Sequence, residues 1–200
     1  MTNAEDKDLA MAISTSTKGW STSAIVFGCL ETDIADFTAR LDSAGAAIKH
    51  PMLLPGLFAE LQRKRHTDLV ASSVTSLLQN ILRLGKPVPD RNHTSINPND
   101  LLKQWIDITY LSSGLETWKY QLVKMVQHID ELSSTNLYSQ SGFTEEGLRI
   151  QERLADIIVE YDELRRKCSL VVDGTSLANG MVSMYLVVRQ HYNVDSTDEI

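Results

Sequence analysis

The stretch "LLKQWIDITYLSSGLETWKYQLVKMVQHIDEL", Leu101 to Leu132, decides the fold. Leu101, Trp105, Ile108, Leu111, Leu115, Trp118, Leu122, Met125, Ile129 and Leu132 follow one another at steps of three or four. Such steps put every apolar side chain on one side of an α-helix, in a nearly heptad seam. A second stretch repeats the pattern: Ile150, Leu154, Ile157, Tyr161, Leu164, Cys168 and Val171. The polar run Ser133 to Gly142 separates the two. Two long helices joined by so short a turn are expected to pack as an antiparallel hairpin. Trp118, Tyr161 and Met125 at these spacings are core residues rather than a cofactor box.

The punctuation upstream is firm. Pro51 and Pro55 bracket Met52, Leu53 and Leu54. A residue before proline is pushed out of the helical region, while proline suits a first helical turn. Pro51 and Pro55 therefore end one helix, which runs to about Ile48, and start the next. The second carries Leu57, Leu61, Leu69, Val70, Val74, Leu77, Leu78, Ile81 and Leu82 and stops at Gly85. The earlier helix has Thr32 or Asp33 as its cap and Ile34, Phe37, Leu41 and Ala44 as its apolar face. Before it, "TSAIVFGCL" (Thr22–Leu30) reads as one short strand. Residues 1–20 read as a flexible tail, and Gly85–Asp100 as a loop with Asn99 or Asp100 capping the next helix. Thr144 is a candidate cap for the last helix, and Asp173-Gly174 a weak point or an end. The expected fold is mainly α, with a short β element and a long coiled-coil-like hairpin. The expected organisation is one helical domain over 21–180, an N-terminal tail over 1–20 and an atypical tail over 181–200.

Composition narrows the function. The net charge is −7, which opposes nucleic-acid binding. The one basic knot, Arg63, Lys64, Arg65 and His66, reads as a solvated helix face. Two distant cysteines, Cys29 and Cys168, make no disulfide framework. The segment Met1–Lys18 lacks the basic and apolar regions of a secretory leader, and no apolar run spans a membrane. A cytoplasmic chain is the expectation. No phosphate-binding glycine loop, paired Cys-x-x-Cys, His-Glu-x-x-His or nucleophile elbow occurs. An enzyme is therefore not expected. His128, Asp130 and Glu131 are adjacent on one helix and point apart, so they form no preformed site. Acidic residues crowd positions 145–163, among them Glu160, Asp162 and Glu163. Most read as a self-paired surface, with Glu145 and Arg149 a favourable pair. Glu160, Asp162 and Glu163 are the candidate ligands for a weak Mg²⁺ site, because magnesium needs few carboxylates and keeps its waters.

Four segments carry a family resemblance. They are "SAIVFGCLETDIADFTARL" (Ser23–Leu41), "HPMLLPGLFAELQRKRHTDLV" (His50–Val70), "YLSSGLETWKYQLVKMVQHIDEL" (Tyr110–Leu132) and "GLRIQERLADIIVEYDELRRKCSLVVDGTSLA" (Gly147–Ala178). Together they resemble the cytoplasmic part of fungal proteins related to CorA-type magnesium transporters. The resemblance implies a small α/β region, long helices and no enzymatic activity. It implies function by helix-mediated association, either self-association or a helical partner, with divalent-metal sensing as an extension. A stand-alone helical interaction protein without metal is the first alternative. Half of a membrane metal-ion transporter is the second. The pore motif Gly-Met-Asn is replaced here by Gly180-Met181-Val182, with no membrane span before it. No pore residue carries over, and transport by this chain alone is not expected. The resemblance ends near Met181. The codons for Val182-Ser183 can spell a splice donor, so the tail is read as translated intron, with membrane association if the natural C-terminus is longer.

Overall fold

The computed structural model describes residues 9–16, 21–84, 98–134 and 143–195, with side chains given for 9–16, 21–82, 100–134 and 145–176. The described elements are strands β1 (Ala10–Ser16) and β2 (Ser21–Phe27), helix α1 (Glu31–Ser43), a 3₁₀ turn (Gly45–Lys49), and helices α2 (Leu53–Leu84), α3 (Pro98–Ser133) and α4 (Phe143–Asp195). The chain is mostly helical with a short β element, and α3 and α4 pack closely as a hairpin, as the two seams require. On α3 the residues Ile108, Leu115, Leu122 and Ile129, each seven apart, are fully buried. Leu111, Trp118, Met125 and Leu132 form the half-buried flank of the same seam. On α4 the residues Leu154, Ile157, Tyr161, Leu164 and Cys168 are buried, and Ile150 is half-buried.

The expected single domain divides into two compact units, Met1–Asp68 with Leu115–Glu163, and Leu69–Gly114 with Leu164–Ile200. In the first unit β1 and β2 pair antiparallel, from Ala10↔Phe27 to Ser16↔Ser21. Alternation along the strands turns Met11 and Val26 inward, against Leu9, Phe58, Leu61 and Trp118. A close approach ties α2 to α4 here: a Cβ on Gly56 would lie 3.3 Å from Ile150 Cγ2. In the second unit Val70, Leu77, Ile108, Leu164 and Cys168 are buried. Polar side chains supplement that core. Asn80 Nδ2 donates to Gln104 Oε1 at 3.0 Å, and Trp105 Nε1 donates to the Val172 carbonyl at 3.3 Å.

Several expectations are corrected. The N-terminal tail does not run unstructured to residue 20, because Ala10–Ser16 is strand β1. A single strand leaves both rows of backbone groups without strand partners, and the Ser/Thr-rich run supplies one row of them. Helix α1 starts two or three residues early, with Leu30 rather than Thr32 or Asp33 at its N-cap. Asp33 instead lies three residues in and accepts the Leu30 N–H at 3.1 Å, which is the backward half of a capping box. The helix ends at Ser43, and Gly45, at φ 54, turns the chain into the 3₁₀ segment. Ile34, expected inside, is exposed, and Asp33 is buried in its place. Helix α3 begins at Pro98, ahead of the expected caps, since a first-turn proline needs no N–H partner. Asp173-Gly174 does not end α4. The helical ladder continues, and the hydroxyls of Thr175 and Ser176 bond back to the carbonyls of Val171 and Val172 at 2.6 and 3.0 Å. The loop over 85–97, the turn over 135–142 and the side chains of the tail beyond 180 lie outside the described residues.

Candidate functional site

The polar residues of the first unit converge on one turn of α2. Arg63, Lys64, Arg65 and His66 are consecutive, so successive side chains point about 100° apart. Each finds a different partner. Arg63 Nη1 donates to Glu160 Oε2 on α4 at 2.7 Å. Lys64 Nζ donates to Asp36 Oδ2 on α1 at 3.2 Å. Arg65 Nη2 donates to Asp33 Oδ2 at 2.8 Å and to the Gly28 carbonyl at 2.7 Å. His66 Nδ1 lies 2.6 Å from the Tyr161 hydroxyl. The knot expected to be a solvated face is a junction that pins α1 and α4 to α2.

One turn earlier Glu60 plays the same part with opposite sign. It accepts from Arg153 Nε on α4 at 2.8 Å and from Arg40 on α1. Burial works against its charge, but the hydrogen bonds and charges of Arg153 and Arg40 win, and its pKa is lowered. Asp33 behaves alike: burial is outweighed by the Leu30 N–H and by Arg65, and the pKa is lowered.

An aromatic chain runs beside these pairs. Phe58 and Trp118 meet edge to face at 6.1 Å, His66 and Trp118 at 6.4 Å, and His66 and Tyr161 at 5.7 Å. Such pairs contribute beyond their buried area. Tyr161 is 0% exposed, and burial raises its pKa, offset in part by the charge of Arg63. The phenol therefore keeps its proton and can donate to Nδ1 of a neutral imidazole. The indole N–H of Trp118 also favours the phenolate, yet it falls short of hydrogen-bond geometry and has no hydrogen-bond partner. Trp118 and Tyr161 were legible as seam residues; His66 was not, because nothing in its neighbours on α2 points to a phenol 95 residues away.

His50 closes the far end of the unit. It is buried, its backbone is extended ahead of Pro51, and its Nδ1 accepts the Met52 N–H at 3.1 Å. The imidazole thus caps the start of α2. Burial lowers its pKa from 6.5. A depressed folded-state pKa means stability is complete above the unfolded value and is lost as pH falls through the folded one. Unfolding midpoints in urea should therefore drop between about pH 7 and 5, and His50→Asn should flatten that drop while keeping an acceptor for Met52. A second loss is expected below about pH 4.5, as Glu60 and Asp33 protonate. A His50→Asn curve parallel to wild type over the first window would dismiss His50 as its source.

The candidate magnesium ligands are not brought together. Glu160 is held by Arg63, and Asp162 Oδ1 accepts Lys119 Nζ at 2.7 Å; Glu163 is exposed. Among the described residues no group of three His, Cys, Asp or Glu side chains could hold a metal ion. Both thiols have raised pKa values through burial, helped at Cys29 by the charge of Asp33, so neither is activated as a nucleophile. His128 Nδ1 lies 3.3 Å from Glu131 Oε2 on the surface, so these two do not point apart as expected, because residues three apart share a helix face; Glu145 pairs with Arg149 at 2.8 Å as expected. No described helix is long and apolar enough to cross a membrane. No family model, no curated protein and no solved structure matches the chain.

Proposed function

We propose that this chain is a non-catalytic, cytoplasmic helical association domain that holds a helical partner on the outer side of α3. One observation carries the reading. In the second unit α3 is apolar on two opposite sides. Ile108 is buried on one. On the other, Leu102, Ile106 and Tyr110, four residues apart, are 57%, 37% and 74% exposed. Ser113 and Gly114 continue that side without charge, and a Cβ on Gly114 would meet nothing within 4 Å. A helix apolar on both sides normally has both covered. The resemblance to the cytoplasmic part of CorA-related proteins, which implies association through packed helices, agrees with this reading. The reading gives magnesium no role, and the engagement of Glu160 by Arg63 and of Asp162 by Lys119 supports this.

The test is partner capture from the source cells with wild type and with an Ile106→Glu, Tyr110→Glu double variant. Circular dichroism serves as the check on folding. Wild type should retain discrete partners at least about tenfold better than the variant, or about 1.4 kcal/mol. Equal recovery from a folded variant would sink the reading. Magnesium at about 10 mM should leave the Tm unchanged, and a saturable rise would restore metal sensing.

A further inference from the structure

We infer that the free edge of β2 pairs with the same edge of a second copy of this chain, joining two hairpins into one four-stranded antiparallel sheet. This uses a surface separate from the outer side of α3, so either reading can fail alone.

The sheet has two strands, so β2 is bonded on one edge only. Among the described residues no element besides β1 hydrogen-bonds to Ser21–Phe27. A row of backbone N–H and C=O groups is a template for another extended strand. Natural edges are blunted by charge, proline or a bulge. None is present: β1 and β2 contain no Asp, Glu, Lys, Arg or Pro, and their register is unbroken. In a chain that is 22% charged, fourteen strand residues without a charge form a distinct surface. Ile25 and Phe27, 61% and 60% exposed, stand on its outer face.

The second copy follows from charge and register. The net charge of −7 opposes contact between two copies in general, and strands without a charged residue are where that opposition is weakest. Two identical antiparallel edges must match their outward-pointing backbone groups, so the two-fold axis passes through a residue. Complete overlap of the seven residues puts that residue at Ala24, a side chain small enough to meet its own copy. Phe27 then opposes Ser21 of the partner subunit, and Ile25 opposes Ser23 of the partner subunit. Each large apolar side chain lies beside a small hydroxyl, and Val26 meets the β-branched Thr22 of the partner subunit.

Sedimentation equilibrium of wild type and Ile25→Lys tests this. Ile25 is exposed and outside the Met11–Val26 face, so the variant should keep its helical signal. Its two copies would set lysines diagonally across the axis. Wild type should dimerise by about 100 µM, with the Kd at least about tenfold weaker in Ile25→Lys. Under mild oxidation Ala24→Cys should crosslink to its own copy faster than Ser21→Cys, which lies at the end of the overlap. A monomeric wild type overturns the inference, as does a dimer that Ile25→Lys leaves intact. Crosslinking of Ala24→Cys no faster than Ser21→Cys also overturns it.

Discussion

Replacing Tyr161 with alanine is expected to cost about 3–5 kcal/mol of folding stability, the usual range for deleting a fully buried aromatic side chain. The ring is 0% exposed and lies edge to face with His66 at 5.7 Å. Its hydroxyl is 2.6 Å from His66 Nδ1. Tyr161→Phe separates the two contributions: it keeps the ring and removes only the hydroxyl from the imidazole, for about 1–2 kcal/mol. The two losses should therefore differ by at least about 1 kcal/mol in urea unfolding followed by circular dichroism. An alanine variant within about 1 kcal/mol of wild type would mean that the site collapses around the gap and that the aromatic chain does not hold α4 to α2.

Gly147→Val is expected to cost about 3 kcal/mol, for a reason that is steric rather than conformational. Gly147 sits inside α4, where glycine is ordinarily a weakness. Here a Cβ would lie 3.1 Å from His50 Nε2, 3.5 Å from Ile129 Cγ2 and 3.7 Å from Ser133 Oγ. His50 has nowhere to retreat. Its backbone is held extended by Pro51, and its other ring nitrogen holds the Met52 N–H. Gly147→Ala should still lose about 1 kcal/mol, although alanine favours a helix. Gly174 supplies the contrast, since a Cβ there meets nothing within 4 Å. Gly174→Ala should gain up to about 1 kcal/mol. Opposite signs for the two alanine variants, read as shifts in urea midpoint, would establish that the loss at 147 comes from its neighbours. A gain at both would remove His50 from the explanation.

Helix α3 was legible from end to end within three residues, because the seam Leu101 to Leu132 keeps to steps of three or four throughout. The seven-residue recurrence that buries Ile108, Leu115, Leu122 and Ile129 is a property of local geometry: a helix brings such residues to one side whatever it packs against. The corner at Pro51 was legible for the same reason, since proline acts on its own backbone and on the residue before it. The seams on α3 and α4, with a short polar turn between them, also made the hairpin readable.

Pairing was not legible. Arg63 and Glu160 lie 97 positions apart, and His66 and Tyr161 lie 95 apart. Periodicity says which way a side chain faces, but not what stands opposite. A run of four basic and imidazole side chains looks like a wet surface until α1 and α4 supply their partners. The same gap hid β1, whose polar Ser and Thr residues make a strand only because β2 is there to bond with. From the sequence alone came the helices, their inner faces and the sharp turn before α2. Tertiary structure alone decided which charges are neutralised, that Glu160 and Asp162 face cations of this chain, and that a side chain at Gly147 would crowd His50. Those outcomes depend on distances between segments remote in sequence, and local backbone preferences do not contain them.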